Sequence, residues 1–122
     1  MDIYREIILD HYKHPHNFGH LEKPSASNTL FNSACGDKIT MEVQIDAEGA
    51  VVDVRFSGEG CVISQASASM LTDSIKGKSK AEIMKLTASD IFSMLQTELT
   101  ASRVKCAVLP LEVLQKTLSS TV

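Results

Sequence analysis

The order of patterns along the chain predicts an α+β fold: an N-terminal helix, a small three-stranded antiparallel sheet, and helices packed on one face of it. Three observations carry this. Apolar residues recur at helical spacing at the start, a period of two runs through the middle, and the second half carries helix caps without strand alternation. In the first segment Ile3, Tyr4, Ile7, Ile8, His11 and Tyr12 share the spacing, and Asp2 is a suitable N-cap. The run from His14 to Gly19 ends that helix, because a residue before proline is pushed out of helical geometry. Residues 20–28, with Pro24, Ser25, Ser27 and Asn28, read as a loop.

In the middle, Ile39, Met41, Val43 and Ile45 alternate with polar residues, and Val52, Val54 and Phe56 alternate with Asp53 and Arg55. These are two half-buried strands joined by the turn Asp46-Ala47-Glu48-Gly49. A third strand is expected near Thr29–Ser33. Val62–Ile75 is free of Gly and Pro, and Gly77 follows as a terminator. Its small residues Ala66, Ser67, Ala68 and Ser69 would let that helix lie close to the sheet, and tight packing is the expected role of the Ser64–Ser69 run. Ser79 with Glu82, and Thr87 with Asp90, mark two further helix starts. The last helix is expected from about Cys106 to Leu118, burying Ala107, Leu111, Leu114 and Leu118, with Pro110 near its first turn.

Composition narrows the function. The chain has 122 residues, 43% hydrophobic and 22% charged, which suits a single domain spanning 1–122. A net charge of −3 opposes a general nucleic-acid binder. No stretch approaches the roughly 20 apolar residues of a membrane span. The acidic start, Met1-Asp2-Ile3-Tyr4-Arg5-Glu6, is unlike a signal peptide, so a cytoplasmic protein is expected, with neither nucleic acid nor membrane among its partners.

Three cysteines are an odd count and too few for a disulfide scaffold. Cys35, Cys61 and Cys106 all fall at expected element ends rather than inside apolar stripes. Pairing of the two strands brings residue 37 or so opposite residue 58 or so, which puts Cys35 and Asp37 near Cys61. Cys61 and Cys106 are expected at helix N-termini, where the dipole lowers a thiol pKa; Arg103 and Lys105 flank Cys106, and Lys38 lies close to Cys35. Gly36, Gly58 and Gly60 leave the backbone bare for close approach. Three thiolates and Asp37 make four ligands, the number a tetrahedral zinc or a 2Fe–2S unit requires. An oxygen corner makes such a site more exchangeable than four thiolates, which suits holding and release. The spacing Cys-x-Asp-x23-Cys-x44-Cys contains no Cys-x-x-Cys pair, so by itself it favours three unrelated cysteines. Placement at element ends, with glycines beside two of them, shifts the balance toward a shared site.

The segments Ser33-Ala34-Cys35-Gly36-Asp37, Phe56 to Ser69 through Gly58-Glu59-Gly60-Cys61, and Ser102-Arg103-Val104-Lys105-Cys106-Ala107 resemble three signature stretches of the iron–sulfur cluster assembly family of IscU, SufU and the N-terminal domain of NifU. The stretch Tyr12-Lys13-His14-Pro15-His16-Asn17-Phe18-Gly19 resembles that family's N-terminal motif, and the match runs along essentially the whole chain. The resemblance implies that Cys35, Asp37, Cys61 and Cys106 hold a nascent 2Fe–2S cluster or zinc, with sulfur accepted from a cysteine desulfurase and passed on to apo iron–sulfur or carrier proteins. It also implies a scaffold and sulfur acceptor more than a turnover enzyme. IscU-type members have a histidine where this chain has Lys105 and a Leu-Pro-Pro-Val-Lys chaperone motif where it has Thr100 to Lys105. Both departures resemble SufU-type members, although the 44 residues between Cys61 and Cys106 leave little room for the insertion those members carry.

Cys106 is expected to be the sulfur acceptor, since it combines a helix start with two neighbouring cations. Rival readings are a zinc-dependent sulfurtransferase without scaffolding and a structural zinc module. A zinc deaminase is disfavoured by the missing His-x-Glu and Pro-Cys-x-x-Cys. His11, His14, His16 and His20 are expected as exposed imidazoles at a helix end and turn, an accessory metal site being the weaker alternative. Lys76, Lys78 and Lys80 read as a solvated turn that could help dock an acidic partner.

Overall fold

The computed structural model describes residues 6–32, 36–96 and 99–120. The elements run α1 (Glu6–Lys13), β1 (Ala26–Asn32), β2 (Asp37–Ile45), β3 (Val51–Glu59), α2 (Val62–Ile75), α3 (Lys80–Met84), α4 (Ala88–Leu95) and α5 (Ala101–Ser119). The three strands form one antiparallel sheet in the order β1-β2-β3. This is the expected α+β architecture.

The period of two does what it should. Ile39, Met41 and Val43 of β2 and Val54 and Phe56 of β3 are fully buried on one face, while Lys38 is exposed. Val52, expected on the buried face with Val54 and Phe56, is instead exposed and Val51 is buried, because the register shifts at Gln44/Ile45. Asp37 shares the parity of Ile39, so it too points to the helix-covered side, at the end of the strand. The turn is held by Asp46, whose carboxylate accepts the Glu48 and Ala50 N–H groups at 2.9 and 3.0 Å, with Gly49 at φ +86°. The far edge of β3 is covered by the loop after α1: Phe56 donates its N–H to Asn17 and accepts from Gly19, and Phe18 stacks edge-on to Phe56.

On the buried face, α5 packs against β1 and β2, while α2 packs against β3, α1 and α5. Ser64, Ala66, Ser67, Ala68 and Ser69 are all fully buried, and the Ser67 hydroxyl donates to the Ala107 carbonyl at 2.6 Å. Small residues thus let α2 lie close, although its nearest neighbours include α1 and α5 as well as the sheet. Ser79 and Glu82 form the expected reciprocal cap of α3, and the Asp90 carboxylate accepts the Thr87 N–H ahead of α4.

Four further expectations need correction. First, β1 starts at Ala26, so the expected loop ends three residues earlier; backbone pairing of Ala26 to Asn28 with Val43 to Met41 overrides the turn preference of Ser27 and Asn28. Second, α5 starts at Ala101 rather than about Cys106, with Thr100 as N-cap. Pro110 therefore lies inside the helix, where it has no N–H to give the Cys106 carbonyl; burial of Ala107, Leu111, Leu114 and Leu118 against α2 and the sheet offsets that loss. Third, in α1 only Ile8 and His11 are buried, and Ile7 and Tyr12 face outward. Fourth, the histidines are not uniformly exposed: His11 is buried, and His16 and His20 pair with Asp73 and Glu42. The expected cap Asp2, with Ile3 and Tyr4, lies outside the described residues, as do Ser33 at the end of the expected third strand and Cys35.

Candidate metal centre

The site is built where the open end of the β2–β3 ladder meets the start of α2. The register pairs Lys38 with Glu59 at the ladder's end, which carries Asp37, one residue beyond, to the level of Gly60 and Cys61. The chain then leaves β3 through Gly58 and Gly60. At Gly60, with φ +153°, a Cβ would lie 2.2 Å from Asp37 Oδ1 and 2.9 Å from Ser64 Oγ. Only a residue without a side chain permits the carboxylate to sit there.

Asp37 is 1% exposed. Its Oδ1 accepts the Cys61 N–H at 2.8 Å, and its Oδ2 faces Cys61 Sγ at 4.0 Å. Cys61 is the N-cap of α2 and makes no side-chain capping bond, so its sulfur is directed elsewhere than the helix's own amides. The third member comes from α5. One ligand atom each of Asp37, Cys61 and Cys106 lies within 4.8 Å of the other two. The sequence thus brings together three of its four expected ligands, and the fourth, Cys35, lies outside the described residues.

Cys106 differs from expectation in setting. It is the sixth residue of α5, not the first, and is 1% exposed. Neither a helix-start dipole nor open access distinguishes it. Cys61, by contrast, is half-buried at a helix N-terminus.

The donor set fits a borderline or soft metal. Two sulfurs and a carboxylate oxygen meet at a buried point, Gly60 leaves room beside the carboxylate, and the Cys61 N–H fixes the orientation of Asp37. Two neighbours lie in the Ser64–Ser69 run that the sequence assigns to packing rather than to the site. Ser64 is fully buried one turn on from Cys61 and donates to the Cys61 carbonyl at 3.1 Å. Gln65, four residues after Cys61, is 8% exposed, and its amide nitrogen has no hydrogen-bond partner among the described residues. A glutamine one turn beyond a cysteine on an otherwise apolar and small-residue helix was the available signal.

An α+β domain that closes a carboxylate and cysteine sulfurs around one buried point belongs to the class of small metal- or cluster-holding proteins. Residues 3–120 match the NifU-like N-terminal domain, and the chain belongs to that family. It is 35% identical to the zinc-dependent sulfurtransferase SufU of Bacillus subtilis, across 93% of this chain and 88% of that one. It is 45% identical to the iron–sulfur cluster assembly scaffold protein IscU of Streptococcus pyogenes, across 75% of this chain and only 55% of that relative's length. Among solved structures, a candidate cluster assembly scaffold protein for the SUF system from Fervidobacterium islandicum superposes with a TM-score of 0.83 at 32% identity, covering 95% of this chain and 96% of that one.

Proposed function

We propose that the protein serves iron–sulfur cluster assembly, taking sulfur from a cysteine desulfurase and transiently holding a nascent 2Fe–2S cluster or zinc. The observation that carries this is the meeting of Asp37, Cys61 and Cys106 at one buried point. Cys35, Asp37, Cys61 and Cys106 would hold the metal, and a bound zinc would keep the thiols as thiolates. Cluster-recipient apoproteins or carriers would be the downstream partners. No helix among the described residues is long and apolar enough to cross a membrane.

Sulfur acceptance is a thiol exchange. A thiolate of this chain attacks the terminal sulfur of the donor's persulfide; a new S–S bond forms, the donor's own S–S bond breaks, and the donor sulfur leaves as a thiolate. No oxidant is required. Of the two described thiols, Cys61 is the one an incoming persulfide can reach, since Cys106 is 1% exposed. Its exposure and helix N-cap position support Cys61 as the entry point, with Cys106 as a holder, in place of the acceptor role the sequence favours for Cys106.

A second reading, zinc-dependent sulfur transfer without scaffolding, is favoured by the near end-to-end match to the Bacillus subtilis SufU and by Lys105 beside Cys106. Metal and sulfide analysis of protein purified without oxygen separates the two. Iron with sulfide supports scaffolding, and stoichiometric zinc supports the transferase. Labelled-sulfur uptake from a desulfurase and cysteine, compared among Cys35→Ser, Cys61→Ser and Cys106→Ser, tests the entry point. Uptake surviving in Cys61→Ser overturns it, and absence of both metal and sulfur uptake in the parent overturns the function.

A further inference from the structure

A second convergence of ligand-type side chains lies toward the other end of α2. α1 supplies His11, the loop after it supplies His16, and α2 supplies Asp73. One ligand atom of each lies within 4.8 Å of the other two. The two imidazole rings stand 4.5 Å apart, tilted by 50°. His16 Nδ1 is 2.5 Å from Asp73 Oδ2, and Asn17 donates to Asp73 Oδ1 at 2.9 Å. The Ser69 hydroxyl meets His11 Nδ1 at 2.7 Å, which fixes that ring and leaves Nε2 as its ligating nitrogen. His16 and Asp73 are about half exposed, at 48% and 45% of their side chains, and His11 and Asp73 border a cleft of about 320 Å³ with Met70 and Met94. Solvent ions therefore have access.

A loop latch alone does not require this chemistry. The loop is already pinned by the His16 N–H to Ser69 at 2.8 Å and by Asn17 to Thr72 at 3.0 Å. What the latch leaves unexplained is two imidazoles turned toward each other beside one carboxylate. Two neutral imidazoles and a carboxylate are the donor set of first-row divalent ions, with positions left for water. We propose that His11, His16 and Asp73 form a second site, for a divalent first-row transition cation such as Zn²⁺, with the ion replacing the proton between His16 and Asp73. Asp73 follows Cys61 by twelve residues, so the two sites are about 18 Å apart along α2 and can fill independently. One offers sulfur, the other nitrogen and oxygen, so they rank metals differently. Burial and the neighbouring His16 ring hold the His11 pKa below its usual value. For Asp73, burial would raise the pKa, but hydrogen bonds from His16 and Asn17 outweigh it and keep the carboxylate ionised.

The test is a Co²⁺ titration of the full chain followed by optical absorption and by ring-proton NMR. The first equivalent is expected at the thiolates, with sulfur-to-cobalt charge-transfer absorption. A second is expected to add ligand-field absorption without further charge transfer and to broaden the His11 and His16 ring protons. Asp73→Asn should weaken this second equivalent at least tenfold and leave the first unchanged. Saturation at one equivalent, or a second equivalent that persists in Asp73→Asn and His16→Gln, overturns the proposal. Should either variant not fold, the unaltered chain decides: unbroadened His11 and His16 rings overturn it. Loss of the charge-transfer band alone would instead count against the thiolate centre, so the two readings fail separately.

Discussion

Gly60 stands where a single added methyl would strike the Asp37 carboxylate at 2.2 Å. Gly60→Ala is therefore expected to push Asp37 out of position and to slow metal release to a chelator in the same direction as Asp37→Ala, with backbone strain adding about 1–3 kcal/mol of destabilisation. Gly77→Ala is the control. Gly77 has φ +85° but nothing within 4 Å of an added Cβ, so that variant should be destabilised in urea while retaining metal with parental kinetics. Asp37→Ala leaves the Cys61 N–H without its acceptor, a loss of about 1–3 kcal/mol, and removes the oxygen corner that favours exchange. Its cluster should be released more slowly than the parent's, and faster release to a recipient protein would count against a labilising role for the carboxylate. The partnership of Asp37 with Cys61 was legible in the sequence, because a hairpin's register follows from its alternation and turn. The burial of Cys106 was not, because no local pattern says which face of a long helix meets a distant helix.

At the scale of elements, Ser67 ties α2 to α5 through its bond to the Ala107 carbonyl, next to Cys106. Ser67→Ala removes a buried donor at little volume cost and should reduce stability by about 1–3 kcal/mol in urea unfolding, with a measurable rise in metal dissociation rate as α5 loosens against α2. The loop before β1 has a titratable fastening. Glu42 accepts from His20 Nδ1 and from the Leu21 N–H, both at 2.7 Å. Burial alone would raise the Glu42 pKa, but these hydrogen bonds outweigh it and hold the carboxyl below its ordinary 4.5. The folded form thus binds fewer protons than the unfolded one between the two values. Its contribution is complete above about pH 4.5 and is lost as pH falls through the lower folded value. Glu42→Gln should lower stability at neutral pH and flatten the loss of stability below pH 4.5 in acid titrations of unfolding. The capping residues Ser79 and Thr87 were readable because a cap acts within four residues. The true start of α5 at Ala101 was not, since Pro110 made a shorter helix look preferable and only packing against α2 and the sheet tolerates it where it stands.

At the scale of the molecule, among the described residues one face of a three-stranded sheet and five helices enclose a core, and the candidate metal centre sits at its margin, drawing on β2, the β3–α2 junction and α5. Segments far apart in sequence must all be in place before the ligands meet. Metal binding should then report on the whole fold: zinc at one hundred times its Kd is expected to add about 2.7 kcal/mol to unfolding stability, removable by a chelator. The layering and the β2–β3 hairpin were readable from periodicity, while the His11, His16 and Asp73 cluster was half visible, its histidines apparent and its carboxylate hidden 57 residues away on α2. The most direct measurement is X-ray absorption at the zinc edge of the chain loaded with a single equivalent of zinc. A first shell of three sulfurs and one light atom is expected, reduced by one sulfur in each of Cys35→Ser, Cys61→Ser and Cys106→Ser; a shell dominated by nitrogen and oxygen in the unaltered chain would contradict the shared thiolate–carboxylate centre.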